Sequence, residues 1–125
     1  MKLFLDKSAA QNIITAYDRD SVKINQTEYR TNLIVSPGAI DTDWATAGFD
    51  ALTEPDFERL AGIGVEIVLI GTGTRQRFPS PALLRPLMAA RVGFEFMDLG
   101  SACRTYNILA HESRSVAAAL LFDPA

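Results

Sequence analysis

Two nearly continuous apolar runs, Val65 to Ile70 and Val116 to Phe122, most constrain what this chain can fold into. A strand that is hydrophobic on both faces must be covered on both faces, which is typical of inner strands in a sheet flanked by helices. The longer run has seven residues, far fewer than the ~20 that a membrane-spanning helix needs. The two runs therefore predict central strands of an α/β sheet and no membrane insertion.

Helix signals alternate with strands from Thr53 onward. Thr53 precedes Pro55 and Asp56, a pattern typical of a helix start, because proline lacks only an N–H that the first turn leaves unbonded. The other predicted elements are a helix from Ser80-Pro81, a strand from Phe94 to Met97 after Gly93, a helix from about Ser101 to Glu112, and the strand Val116 to Phe122.

The first part of the chain is rich in β-branched and aromatic residues. It predicts three strands, within Ile13–Tyr17, Ser21–Asn25 and Tyr29–Val35, and a turn at Ser36-Pro37-Gly38. Residues 39–52 are predicted to form an ordered loop or an irregular strand. Trp44 and Phe49 are expected to pack in the core, and an exposed aromatic patch for a partner is the alternative. Antiparallel strands followed by strand–helix–strand units predict an α/β domain with a mixed sheet. A length of 125 residues predicts a single domain.

Composition limits the functional classes. The net charge of −3 argues against a general nucleic-acid binder, which needs clustered Lys and Arg. One Cys and one His cannot form an internal disulfide or a cysteine–histidine metal site, and they suit a reducing compartment. The first apolar stretch, Leu3 to Leu5, is too short for a signal-peptide core, so a cytoplasmic protein is expected.

The charges are divided along the chain. Between Asp41 and Glu58 six acidic residues occur without Lys or Arg, whereas between Arg75 and Arg91 four arginines occur without an acid. Two interpretations remain open. The segments are either two solvated faces or the poles of a dipolar protein whose partner has a complementary surface.

Gly71-Thr72-Gly73 follows the first apolar run, where α/β sheets gather ligand sites. Glycines let backbone N–H groups approach an anion, and Arg75 and Arg77 follow closely. A dinucleotide fingerprint would need glycine at position 76, where Gln76 stands. The segment is therefore either a tight turn or a weak anion-binding signal.

Cys103-Arg104 lies near the start of the third predicted helix, where the positive helix end and the arginine favour a thiolate. The only histidine, His111, is eight residues further on, or ~12 Å along a continuous helix. A Cys–His catalytic pair on this helix is thus excluded, and a packed structural thiol is the alternative.

Several segments in this order resemble the Mth-like domain family of unknown function, which includes a mitochondrial assembly factor for respiratory complex I and an adipogenesis-associated protein. The segments are Val65–Gly73, Phe78–Ser80, Gly93, Met97-Asp98, Ala102–Leu109, Glu112 and Arg114–Leu121. The resemblance implies one three-layer α/β domain over residues 1–125, with a mixed central sheet and about three helices. It implies no established enzymatic activity, cofactor or metal. Its family-typical positions are Gly71, Gly73, Cys103, Arg104, Tyr106, Asn107 and Arg114.

Two functions are consistent with these observations. The first is a non-catalytic assembly factor that acts by binding protein partners. The second is a small-ligand or anion-binding domain, with an enzyme as one case, at Gly71–Gly73 and Cys103-Arg104. The predicted ligand or partner site comprises Gly71, Thr72, Gly73, Cys103, Arg104, Tyr106 and Asn107.

Overall fold

The computed structural model describes residues 11–124. The stretch Leu3–Leu5, which the sequence analysis excluded as a signal-peptide core, lies outside them. The described strands are β1 (Ile14–Tyr17), β2 (Val22–Ile24), β3 (Thr27–Tyr29), β4 (Leu33–Ser36), β5 (Ala39–Asp41), β6 (Ile67–Thr72), β7 (Gly93–Met97) and β8 (Val116–Leu121). The described helices are α1 (Glu54–Ala61), α2 (Arg85–Ala89) and α3 (Leu99–His111), with 3-10 turns at Phe49–Ala51 and Pro81–Leu84.

The larger sheet is mixed, as predicted, with strand order β5-β4-β8-β6-β7. β6 pairs in parallel with β7 and β8, while β4 pairs antiparallel with β5 and β8. Every residue of β8 is buried. Successive residues face opposite layers: Ala118 packs in one hydrophobic cluster and Ala117 and Ala119 in the other. This burial on both faces explains why the strand reads as an uninterrupted apolar run.

The helices cover the large sheet on both sides. α3 packs on one face beside the small antiparallel sheet β1-β2-β3, and Tyr106 fills the middle of that layer. α1 and α2 pack on the other face with Trp44, whose indole N–H donates to the Asp56 carbonyl at 3.0 Å. The three layers of a single α/β domain are therefore as predicted, and Trp44 is a core residue.

The predicted strand over Tyr29–Val35 is wrong, because the polar triplet Arg30-Thr31-Asn32 divides it. β3 ends at Tyr29 in the small sheet, and β4 begins at Leu33 in the large one. Asn32 fixes this crossing point: its amide donates to the Ala45 carbonyl at 2.7 Å and its oxygen accepts from the Phe122 N–H at 2.9 Å.

Two helix starts differ from the predictions. α3 begins at Leu99 rather than about Ser101, because Asp98 is the cap and accepts the Ser101 N–H at 2.9 Å. The segment after Ser80 first forms a 3-10 turn, and α2 begins only at Arg85. Pro86 has no N–H to give to the carbonyl of residue 82, so a continuous α-helix cannot run through it.

Candidate functional site

The Gly71–Gly73 segment serves first as a packing element. The predicted strand end at Ile70 is wrong, since β6 continues through Gly71 and Thr72. A Cβ on Gly71 would lie 3.0 Å from the Cβ of Ala102 and 3.2 Å from the Cα of Leu99. Glycine at this position lets α3 approach the sheet.

The start of α3 faces the turn at Gly71–Gly73. The Leu99 N–H donates to the Gly73 carbonyl at 2.7 Å. This donor is therefore satisfied within the protein, and Gly73 adopts a positive φ of 86° that favours glycine.

Cys103 lies in the core between α3 and the sheet, with 1% of its surface exposed. Burial raises the pKa of the thiol to about 12, and the nearby Arg104 charge opposes this only in part. The positive helix end does not offset the desolvation, so the thiol is protonated at neutral pH.

Arg104 points to the surface rather than toward the thiol layer. Its guanidinium donates to the Tyr17 hydroxyl and, at 3.4 Å, to the Ser101 hydroxyl. It also lies 6.0 Å from the centroid of the Tyr17 ring. Arg104 thus links α3 to β1 at the surface.

Tyr106 and Asn107 also join α3 to the first strand. The Tyr106 hydroxyl donates to the Asn12 carbonyl at 2.8 Å. The Asn107 side chain both accepts from the Ile14 N–H at 3.0 Å and donates to the Ile14 carbonyl at 2.8 Å. These contacts give both residues a structural role, and the ligand or partner site assigned to the seven residues stays a prediction.

A cleft of about 730 Å³ lies elsewhere, beyond the carboxyl ends of β6 and β8. None of the seven predicted residues is among the described residues that line it. The lining residues are Arg19, Asp20, Arg30, Thr31, Asn32, Thr46, Ala47, Gly48, Phe49, Asp50, Arg77, Phe122, Asp123 and Pro124.

Thr72 connects the predicted segment with this cleft. Its buried hydroxyl donates to the Arg75 carbonyl at 2.7 Å and accepts the Arg77 N–H at 2.9 Å. The Arg77 Nε–H reaches the Thr72 carbonyl at 3.4 Å. Thr72 therefore fixes the backbone that directs Arg77 toward the cleft.

Asp123 lines the cleft. Its carboxylate accepts the Thr74 hydroxyl at 2.5 Å and the Thr74 N–H at 3.2 Å. These hydrogen bonds, helped by the charges of Arg77 and Arg19 and opposed by burial, lower the pKa of Asp123. A Cβ on Gly73 would lie 1.9 Å from a carboxylate oxygen of Asp123. Gly73 thus makes room for this carboxylate.

Phe49, expected in the core, is only partly buried and lines the cleft, as does Asp123, which was not predicted as a site residue. One signal was present: Asp123 follows the second apolar run, just as Gly73 follows the first. Parallel pairing of β6 and β8 brings their carboxyl ends to one edge of the sheet. Nothing local in the sequence places Phe49 there.

Residues 11–124 contain no group of three or more His, Cys, Asp or Glu side chains arranged to hold a metal ion. Within the same range, no helix is both long and apolar enough to cross a membrane.

The chain is similar to proteins from several organisms. The Bos taurus protein named NADH dehydrogenase (ubiquinone) 1 alpha subcomplex assembly factor 3 is 34% identical over 83 residues, which are 65% of this chain and 45% of that protein. The match therefore spans less than half of the length of this relative.

Solved structures share the fold. A Bordetella parapertussis protein has a TM-score of 0.83 and 38% identity, covering 91% of this chain and 98% of that one. A Mth938-like domain from Bordetella pertussis has a TM-score of 0.78 and 31% identity, covering 90% and 86%. The resemblance to Mth-like domains is thus confirmed. Residues 14–121 match the family model described as a protein of unknown function (DUF498/DUF598). Because this match covers most of the chain, the protein belongs to the DUF498/DUF598 family.

Proposed function

We propose that this protein is a non-catalytic assembly factor that binds a protein partner. The observation that carries the proposal is the exposure of two large apolar side chains on the connection between β6 and β7. Phe78 is 67% exposed and Met88 57% exposed. Large exposed apolar side chains on one connection are candidates for a protein contact site.

The charge on this connection indicates the kind of partner. Arg75, Arg85 and Arg91 are exposed on it, and it contains no acidic residue between Gly73 and Val92. The exposed face of residues 73–92 is here called the arginine face. A partner with apolar groups surrounded by acidic side chains would complement it, and charge complementarity mainly speeds association and excludes wrong partners.

Similarity to the bovine assembly factor supports the choice of partner. We propose that the arginine face binds a subunit of an NADH dehydrogenase complex before that subunit is incorporated. A non-catalytic role agrees with Cys103, whose buried, protonated thiol is unsuited to nucleophilic chemistry.

The test is complementation in native cells that lack the gene. The wild-type chain should restore the assembled dehydrogenase on a native gel, and the F78S/M88S double variant should not. The matched control is I108S, because Ile108 is 58% exposed but lies on α3, in the opposite layer. Surface substitutions usually change stability by about 0.5 kcal/mol or less. The Phe78 ring also lies 5.8 Å from the buried Phe96 ring, so the folding of both variants is checked by circular dichroism.

A contact assay accompanies the complementation. Photoreactive benzoylphenylalanine in place of Phe78 should cross-link a dehydrogenase subunit, whereas the same group in place of Ile108 should not. Normal dehydrogenase levels in the deletion strain, or full rescue by F78S/M88S, would refute the proposed function.

We further propose that the protein acts in the cytoplasm. A single cysteine, free and buried, suits a reducing compartment. Immunoblots of cell fractions test the location, and recovery mainly from another fraction would contradict it.

A further inference from the structure

The cleft beyond β6 and β8 has the dimensions of a ligand site. Its volume of about 730 Å³ falls within the range of roughly 300–1,000 Å³ that small-molecule sites occupy. It lies at the edge of the sheet where parallel strands end, which is where α/β proteins place ligands. Apolar and charged side chains share its lining.

Arg77 is held in the cleft with part of its hydrogen-bonding capacity unused. The guanidinium carbon lies 4.4 Å from the centroid of the Phe49 ring, and Nε–H donates to the Thr72 carbonyl. Among residues 11–124, Nη2 is buried and has no hydrogen-bond partner. A buried donor on a charged group is costly to leave unpaired, so this guanidinium is suited to an added acceptor.

Asp123 does not supply that acceptor. Its nearest oxygen lies 3.9 Å from Nη2 of Arg77, too far for a hydrogen bond. Both oxygens of the Asp123 carboxylate already accept hydrogen bonds from Thr74. Arg19 also lies close enough to act on Asp123 electrostatically. Arg77, Arg19 and Asp123 thus place two positive charges and one negative charge near one another in the cleft lining.

The remaining charges restrict the anion that fits. Arg30 lines the cleft but is paired with Glu28 at 2.9 Å. Asp20 and Asp50 also line the cleft, which holds three arginines and three aspartates in all, and they repel a multiply charged anion. A single carboxylate adds only one negative charge beside Arg77, and its two oxygens match the planar fork of an arginine.

We propose that this cleft binds a small monocarboxylate with an apolar or aromatic remainder. The carboxylate contacts the Arg77 guanidinium, and the remainder packs against Phe49, Ala47 and Phe122. This inference does not depend on the proposed function, because Phe78 and Met88 are not among the described residues that line the cleft. The F78S/M88S variant therefore leaves the cleft lining unchanged.

The experiment is an NMR titration of the whole chain with benzoate, and with neutral benzamide as the matched probe. Benzoate should produce saturable shifts at the Arg77 Nε–H and contacts between its ring protons and Phe49, at concentrations up to about 10 mM. Benzamide should produce neither. Equal responses to the two probes, or no saturable response to benzoate, would overturn the inference even without any variant.

Substitution of Arg77 tests whether the carboxylate of benzoate binds at this residue. R77Q should weaken benzoate binding by about tenfold or more, because it removes the charge and the fork. The control R114Q changes an exposed arginine outside the described cleft lining and outside the arginine face, and it should bind benzoate like the wild type. Unchanged affinity in a folded R77Q protein would contradict the inference.

A second pair of probes distinguishes two sources of the same chemistry. Acetyl-Ala-Phe carries a peptide C-terminal carboxylate, and its amide does not. Tighter binding of the peptide acid than of benzoate would assign the cleft to a polypeptide C terminus. Tighter binding of benzoate would assign it to a free acid.

Discussion

Substitution of Gly71 by alanine tests whether this glycine is needed for the packing of α3 on the sheet or leaves room for a ligand. The new Cβ would lie 3.0 Å from Ala102 Cβ, 3.2 Å from Leu99 Cα and 3.3 Å from Leu120 Cδ2. Carbon atoms prefer separations of about 3.5–4.0 Å, so α3 must move away from the sheet by several tenths of an ångström. Overpacking of this kind costs about 1–3 kcal/mol.

The assay is urea unfolding followed by the fluorescence of buried Trp44. A loss of 1–3 kcal/mol also lowers Tm by roughly 3–5 °C for each kcal/mol in a chain of this size. G93A is the matched control, because a Cβ on Gly93 meets its nearest atom, the Glu66 carbonyl oxygen, at 3.4 Å. Its stability should stay within about 0.5 kcal/mol of the wild type.

A double-mutant cycle tests the named contact. A102G alone should destabilise the protein, because glycine inside a helix costs about 1 kcal/mol. In G71A/A102G the shortest contact is absent, so the double variant should lose less than the two single variants together, by at least about 0.5 kcal/mol. Wild-type stability of G71A, or strict additivity, would refute the packing argument.

Three further outcomes are expected. D123N should lower the free energy of unfolding at pH 7 by roughly 1–2 kcal/mol, and urea unfolding against pH should show this loss vanish in acid. The sign follows because the pKa of Asp123 is lowered on folding, so its stabilisation is present above the unfolded value of 3.8 and is lost as pH falls through the folded value. Cys103, with its thiol pKa raised to about 12, should react with a disulfide reagent at pH 8 only after unfolding; rapid reaction of the native protein would contradict its burial. Y106F should lose about 1 kcal/mol of stability in urea, since it removes the hydrogen bond to the Asn12 carbonyl.

The sequence predicted the elements whose signals are local. β6 and β8 could be recognised because burial on both faces leaves a continuous apolar run. The start of α1 could be recognised because Thr53 and Asp56 bond within one turn, with the Thr53 N–H reaching the carboxylate at 2.8 Å. The division between β3 and β4 could not be recognised from the sequence, because the choice of sheet depends on strand partners far away in the chain.

The cleft was less accessible to prediction than the fold. Gly73 and Thr72 were identified as candidates, and the structure connects both with its wall through Asp123 and Arg77. Phe49 enters the cleft from a loop with no sequence signal for that position. A site assembled from separate loops depends on tertiary distances, which residue spacing alone does not contain.

The position of β8 has a consequence for how the protein folds. β8 lies between β4 and β6, so the β4–β5 hairpin and the β6–β7 unit share no strand partner until β8 inserts. Its pairing joins Leu33 to Leu120, a contact of long sequence separation that is slow to form. Until that step, both halves expose unpaired strand edges, which are prone to aggregation. During synthesis, these edges would stay exposed until β8 has left the ribosome, and a chaperone that shields them would raise the yield of folded protein.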